Sequence, residues 1–201
     1  MSDLITYFIK GGLVMYPLLI CSIFVIYIAI ERFIYYKSAE SGSNFSVKYC
    51  DALANEGIDA ATKLAKADPS SYAVVLVHAA SVDTSEKAEA YMEMKGGLII
   101  AGLRDKLSYL NVIITLSPLL GLLGTIVGMI TTFSIFNLQA GEPMAITGGI
   151  GEALIATASG LCVAILALIV HSYFAHRLDN AITRMEQCFS ALAEAKIRGG
   201  F

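Results

Sequence analysis

Residues 148–174 read GGIGEALIATASGLCVAILALIVHSYF, and residues 117–133 read SPLLGLLGTIVGMITTF. Between Lys106 and Arg177 the chain has no lysine or arginine, and its only acidic residues there are Glu142 and Glu152. Uncharged apolar runs of this length are transmembrane helices, because about 20 residues at 1.5 Å each cross a hydrocarbon core about 30 Å thick. The pattern predicts a second span over 107–136, a short loop over 137–149 and a third span over 150–174. A first span, LVMYPLLICSIFVIYIAI, covers 13–30 and carries no charge. Pro17 falls in its first turns, where a proline costs a helix least. Tyr16, Tyr35 and Tyr36 lie near its ends, where an interfacial aromatic belt is expected.

Composition points the same way. Of the 201 residues, 56% are hydrophobic and 15% charged, against about 25% charged in a soluble domain. The net charge of -3 excludes nucleic acid as a partner, since that binding rests on clustered Lys and Arg. Cys21, Cys50, Cys162 and Cys188 have no CxxC spacing, and two lie in apolar runs. They read as reduced packing residues, not a disulfide frame or a zinc site. The first twelve residues lack the basic start and small-residue cleavage site of a signal peptide, so the first run reads as an uncleaved span.

Residues 31–106 are of another kind, with charges throughout. Residues 47–67 show an amphipathic helical pattern interrupted near Gly57, and Asp68-Pro69 breaks the chain. Residues 71–95 resume a helical pattern, with Thr84 or Ser85 as an N-cap and Gly96-Gly97 as a candidate kink. Thirteen of the 14 Lys and Arg residues fall in 31–106 and 177–201; the other is Lys10. By the positive-inside rule, residues 1–12 and the 137–149 loop are periplasmic. The 31–106 domain and a C-terminal helix over 175–201 are cytoplasmic. The fold class expected is an all-α membrane protein: three transmembrane helices with a helical cytoplasmic domain between spans one and two.

The second span carries Gly121, Gly124 and Gly128, the last two a GxxxG. In lipid, small residues let helix backbones approach closely, and helix packing is their reading. Thr125, Thr131 and Thr132 share that span; a membrane threonine most often bonds back to its own helix carbonyls. In the third span Glu152 stands near the outer end among Ala153, Ala156, Ala158, Ser159 and Gly160. An acidic residue costs about 2.5–3.5 kcal/mol at mid-membrane on insertion scales. It either faces a protein interior or water path, or snorkels to the outer surface. At 100° per residue, Glu152, Ala156 and Ser159 share one face, and Thr157 lies about 140° from Glu152. His171 and His176 are five apart, unlike a stacked zinc pair, and read as interfacial. No GxSxG, Walker A motif or membrane aspartate pair occurs. No enzyme, cofactor or metal site is expected.

The segment from Pro118 to Met129, PLLGLLGTIVGM, resembles the second-span signature of the ExbB/TolQ/MotA proton-channel family. Residues 149–161, GIGEALIATASGL, resemble its third-span signature. The opening Gly11-Gly12-Leu13-Val14-Met15-Tyr16-Pro17, with Ile30-Glu31-Arg32-Phe33, is similar to its first span. The likeness covers all three spans and is weak over 40–95. It implies a homo-pentameric ring around two single-span ExbD-like or TolR-like partners, each carrying a membrane aspartate. It further implies a rotary motor driven by the proton-motive force, coupled to a TonB-like or TolA-like protein. By the resemblance, Thr125 and Thr157 flank the ion path. Glu152 matches a glutamate of the ExbB and TolQ branches that MotA-type stators generally lack. Leu166 stands where many relatives have proline, and His171-Ser172 where Tyr-Asn is common. The alternatives are a MotA-like stator for motility and a non-conducting oligomeric scaffold. A solute transporter would show internal repeats, and none is seen.

Overall fold

The computed structural model of the chain describes residues 8, 11–39, 44–138 and 143–199. Most of the expected periplasmic N-terminus over 1–12, and residues 139–142 of the expected loop with Glu142, lie outside the described residues. The described secondary structure is helical: α1 (Met15–Ala39), α2 (Phe45–Asn55), α3 (Ile58–Ala67), α4 (Ser71–Ala80), α5 (Ser85–Arg104), α6 (Leu107–Leu138) and α7 (Pro143–Arg198). The chain divides into two compact units, Met1–Ile30 with Lys106–Tyr173, and Glu31–Asp105 with Phe174–Phe201.

The first unit holds the apolar stretches. Helices α1, α6 and α7 each contain a segment long and apolar enough to cross a membrane. Helix α1 has 25 residues and α6 has 32, enough for about 37 and 48 Å of rise. Helix α7 runs for 56 residues without a break, about twice what one crossing needs. Leu166 sits within it; without the proline's missing N–H the hydrogen-bond ladder continues. Large side chains such as Ile20, Ile23, Leu119, Ile130, Leu154 and Ile169 are exposed along these helices. Apolar surface on this scale is covered in a folded protein by lipid or by other chains. Val14, Met15 and Leu18 are buried together, with Phe8 and Leu120 packed on them.

The second unit is a small helical domain with its own core. Consecutive helices pack against one another, α2 on α3, α3 on α4 and α4 on α5. Phe45, Tyr49, Tyr72, Leu76 and Met92 form the core together with Met185, Cys188 and Leu192 of α7. Alanines Ala61, Ala73, Ala79 and Ala88 are fully buried there, so these helices approach closely. Gly57 starts α3 at φ +89°, a left-handed conformation that glycine adopts at no steric cost. At the Asp68-Pro69 break, Asp68 accepts from Ser70 N at 2.9 Å. Ser70 then caps α4, accepting from Ala73 N at 3.4 Å.

One sequence expectation needs correcting. Tyr36 is not part of an interfacial belt: it is fully buried and donates to Leu103 O at 2.9 Å. Burial of a tyrosine requires such a partner. Thr84 occupies the N-cap position of α5, as expected, and its hydroxyl makes no capping bond. Ser70 makes the capping bond of α4 instead. Helix α5 runs through Gly96-Gly97 to Arg104. Gly96 lies against Phe189, so its lack of a side chain serves packing.

Arg32 closes the end of α5. Its guanidinium donates to Gly102 O at 2.8 Å and Asp105 O at 3.0 Å, and grips Glu31 at 2.6 and 2.7 Å. The last carbonyls of a helix have no partner within it, and a buried cation there satisfies them and complements the helix dipole.

Candidate functional site

Helices α6 and α7 meet along a seam of small residues in the first unit. A Cβ added at Gly128 would lie 3.0 Å from Ala153 Cβ, and one at Gly124 2.6 Å from Ala156 Cβ. At Gly121 it would lie 3.0 Å from Thr157 Cα and 3.2 Å from Ala156 O. Gly160 approaches Ser117 O and Gly121, and Gly149 approaches Thr132. Numbers rise along one helix as they fall along the other, so the pair is antiparallel. Steps of four, three and four residues through 117, 121, 124 and 128 keep one stripe on a helix, as in a heptad seam. At each of these contacts at least one of the two residues is therefore glycine or alanine.

Thr157 lies in this seam. Its hydroxyl donates to Gly121 O at 3.0 Å, across the two helices. Thr125 does not join it: its hydroxyl bonds back to Leu122 O at 2.6 Å. It lines a shallow hollow on the face of α6 with Ile126, Met129, Ile130, Phe133 and Ser134. Each hydroxyl has one proton, and both protons are held by backbone carbonyls. Their lone pairs remain free to accept a proton or coordinate an ion.

Glu152 is exposed and lines a cleft of about 540 Å³. The cleft is walled by Gly11–Val14, by Gly124, Val127, Gly128, Thr131 and Thr132 of α6, and by Gly148, Gly149 and Ala153 of α7. Thr131 and Thr132 bond back to Val127 O and Gly128 O at 2.9 and 2.7 Å. Among the described residues lining the cleft, Glu152 is the one ionisable group, beside polar hydroxyls and bare glycine backbone. Neither Thr125 nor Thr157 lines this cleft. The three candidate residues occupy three places: Glu152 the cleft, Thr157 the seam, Thr125 the open face of α6.

Thr131 and Thr132 were legible as polar positions of the second span, but nothing in the sequence joined them to Glu152. Their spacing of three and four from Gly128 is the signal that puts them beside it. Ser117 gives less warning: it is fully buried at the seam, and its hydroxyl lacks a hydrogen-bond partner among the described residues. The two histidines do not converge, and His176 pairs with Asn180 at 3.1 Å. Among the described residues no three His, Cys, Asp or Glu side chains cluster as a metal site.

Residues 54–187 match the MotA/TolQ/ExbB proton channel family. An ExbB-like biopolymer transport protein of Synechocystis is 36% identical over 182 residues, 81% of this chain and 67% of that protein. The biopolymer transport protein ExbB of Salmonella typhimurium is 39% identical over 73 residues, 36% of this chain and 30% of its own. The Tol-Pal system protein TolQ of Pseudomonas aeruginosa is 37% identical over 83 residues, 41% of this chain and 36% of its own. These last two matches thus span about a third of each relative. The structure of C. jejuni MotAB superposes with a TM-score of 0.63 at 16% identity, covering 92% of this chain and 78% of that one. That likeness is one of fold. Three apolar helices, a glycine seam between two of them and a match over two thirds of the chain lead to one statement: this multi-pass membrane protein belongs to the MotA/TolQ/ExbB proton channel family, whose members act as channel subunits of stator type.

Proposed function

We propose that the chain is the channel-side subunit of a motor in the bacterial inner membrane, driven by the proton-motive force. It works as a homo-pentameric ring around an ExbD/TolR-like single-span partner with a membrane aspartate, and energises a TonB- or Tol-Pal-like envelope process. The N-terminus and the 137–149 loop face the periplasm; residues 31–106 and the C-terminal helix face the cytoplasm. Thr125, Thr157 and Glu152 serve the ion path, and Gly121, Gly124, Gly128, Ala156 and Gly160 hold the helix pair that carries it.

The observation that carries this reading is Glu152. It is the one charged side chain in a third span otherwise free of charge, and it opens into a cleft with Thr131 and Thr132. Such residues inside membranes face cavities and ion routes by default. The exposed apolar faces of α1, α6 and α7 supply the surface that copies and partner helices need. A membrane potential delivers about 2.3 kcal/mol per charge per 100 mV, enough to bias a conformational step.

The test is proton flux into vesicles holding this chain with its single-span partner, comparing wild type, Thr157→Ala and a partner-aspartate variant. Flux that needs both residues is the expected result. An assembled wild-type complex that passes neither protons nor sodium under an imposed potential would overturn the channel reading in favour of a scaffold.

A further inference from the structure

Two of the four cysteines belong to the same core in the second unit. Cys188 of α7 is fully buried among Tyr49, Leu76 and Leu192. Cys50 of α2 packs on the same core and is half-buried. Its thiol donates to Gln187 O at 3.9 Å, the carbonyl of the residue directly before Cys188. All four cysteines are free thiols here. Beside the pair, Tyr49 Oη is buried with no hydrogen-bond partner among the described residues. Buried hydroxyls are nearly always paired, so this one is a spare donor next to sulfur. A cleft of about 390 Å³ opens onto Cys50, between Gly57 and Ile58 on one side and Ala195 and Glu194 on the other. A small oxidant can reach Cys50 through it, while Cys188 is sealed behind.

We propose that Cys50 and Cys188 are a peroxide-oxidisable dithiol pair, in which Cys50 is oxidised first and Cys188 closes the disulfide. The Cys50 thiolate attacks one oxygen of a hydroperoxide. The O–O bond breaks, the leaving oxygen departs as water (or alcohol) after taking a proton, and Cys50 becomes a sulfenic acid. Cys188 sulfur then attacks Cys50 sulfur, and the S–O bond breaks. The second water leaves with the Cys188 proton. Two thiols are oxidised, and one peroxide is reduced. The new bond ties α2 to the C-terminal part of α7 across 138 residues of chain. Burial pushes the Cys50 thiol up from its ordinary value. A small thiolate fraction at neutral pH makes its oxidation slow.

The test uses the full chain, purified with its partner subunit. It is treated with hydrogen peroxide, blocked with N-ethylmaleimide and digested with trypsin without reductant. The expected product is residues 49–63 linked to residues 185–196, two mass units below the sum of the free peptides and released by dithiothreitol. In Cys188→Ser, Cys50 should instead accumulate as a sulfenic acid that dimedone traps. The linked peptide in wild type does not depend on any variant folding. Three results would each overturn the proposal: Cys50 oxidised without the link, a link joining two chains on a non-reducing gel, or both thiols still alkylated while Cys162 is oxidised.

Discussion

The hydroxyl of Thr157 on α7 donates to the carbonyl of Gly121 on α6 at 3.0 Å, where the two backbones touch. Gly121 can receive it because it has no side chain to hold the helices apart. In this state the hydroxyl is part of the seam, so any role in moving a proton requires that bond to open or to exchange. Thr157→Val keeps the shape and removes the bond; Thr157→Ser keeps the bond. Interhelical bonds of this kind are worth about 0.6–1.7 kcal/mol in membrane proteins. Thermal unfolding in detergent should show Val destabilised by that amount and Ser close to wild type. Equal midpoints for Val and wild type would remove the bond from the energetics of the pair.

The glycines of the seam should respond by position. Gly124→Ala puts a methyl 2.6 Å from Ala156 Cβ, and overpacking of this kind costs about 1–3 kcal/mol. Adding Ala156→Gly returns the space and should recover most of the loss. Gly97→Ala is the counter-case, in mid-helix with nothing within 4 Å of the new methyl; it should stabilise by up to about 1 kcal/mol. Unfolding of all three variants and the double checks this. A Gly124→Ala protein as stable as wild type would mean the seam is loose.

The spans were legible because lipid imposes one rule, a long run without charge, and α1, α6 and α7 obey it. The glycine pattern was legible for the same reason, since small residues at steps of three and four mark where backbones meet. What one-dimensional pattern cannot give is which chain distant in sequence faces a residue. Tyr36 read as a belt residue because its position near a span end is common to both roles; only Leu103, 67 residues on, decides it. Thr157 read as lying about 140° from Glu152, and that angle is why one enters the seam and the other the cleft. The pairing of Cys50 with Cys188 left no mark in the sequence.

Arg32 supports a prediction about geometry, not charge. Its planar group reaches Gly102 O, Asp105 O and both Glu31 oxygens together, and it stacks 4.6 Å from the Tyr35 ring. Lysine has the charge but lacks the fork. Arg32→Lys should therefore lose at least one buried carbonyl partner, at about 1–3 kcal/mol, and speed amide exchange in the last turn of α5. Exchange there unchanged from wild type would show that the fork is dispensable.

Cys188 gives a pH dependence with a definite sign. Burial, and then the neighbouring Cys50, push its thiol up from 9.0 to about 12. Between those values the unfolded chain loses the proton and the folded one keeps it, so folding stability falls as pH rises through that window. The slope is about 1.4 kcal/mol per pH unit. Cys188→Ala removes this contribution, so the stability difference between wild type and variant should shrink from pH 9 toward pH 12 and stay flat below. Chemical denaturation at several pH values under reductant measures it. Parallel curves across that range would place the thiol in a wetter site than the buried core.

Glu152 has two readings, a snorkelling carboxylate at the end of its span or a group on the ion path. A snorkelling carboxylate at the end of a span needs only water, and replacing it should change little. The cleft it lines also holds Thr131, Thr132 and bare backbone at Gly124, Gly128, Gly148 and Gly149, which favours the ion path. Those surroundings offer hydroxyls that can accept a proton and few groups that would hold one permanently. Glu152→Gln preserves size and hydrogen bonding but cannot carry a proton, so flux through the assembled complex should fall at least about tenfold, the equivalent of 1.4 kcal/mol. Glu152→Asp, which retains the acid on a shorter arm, should fall between the two. Assembly is followed in parallel by the size of the complex in detergent. Full flux and full assembly in Glu152→Gln would leave Glu152 as an interfacial carboxylate and move the ion path to the hydroxyls of α6.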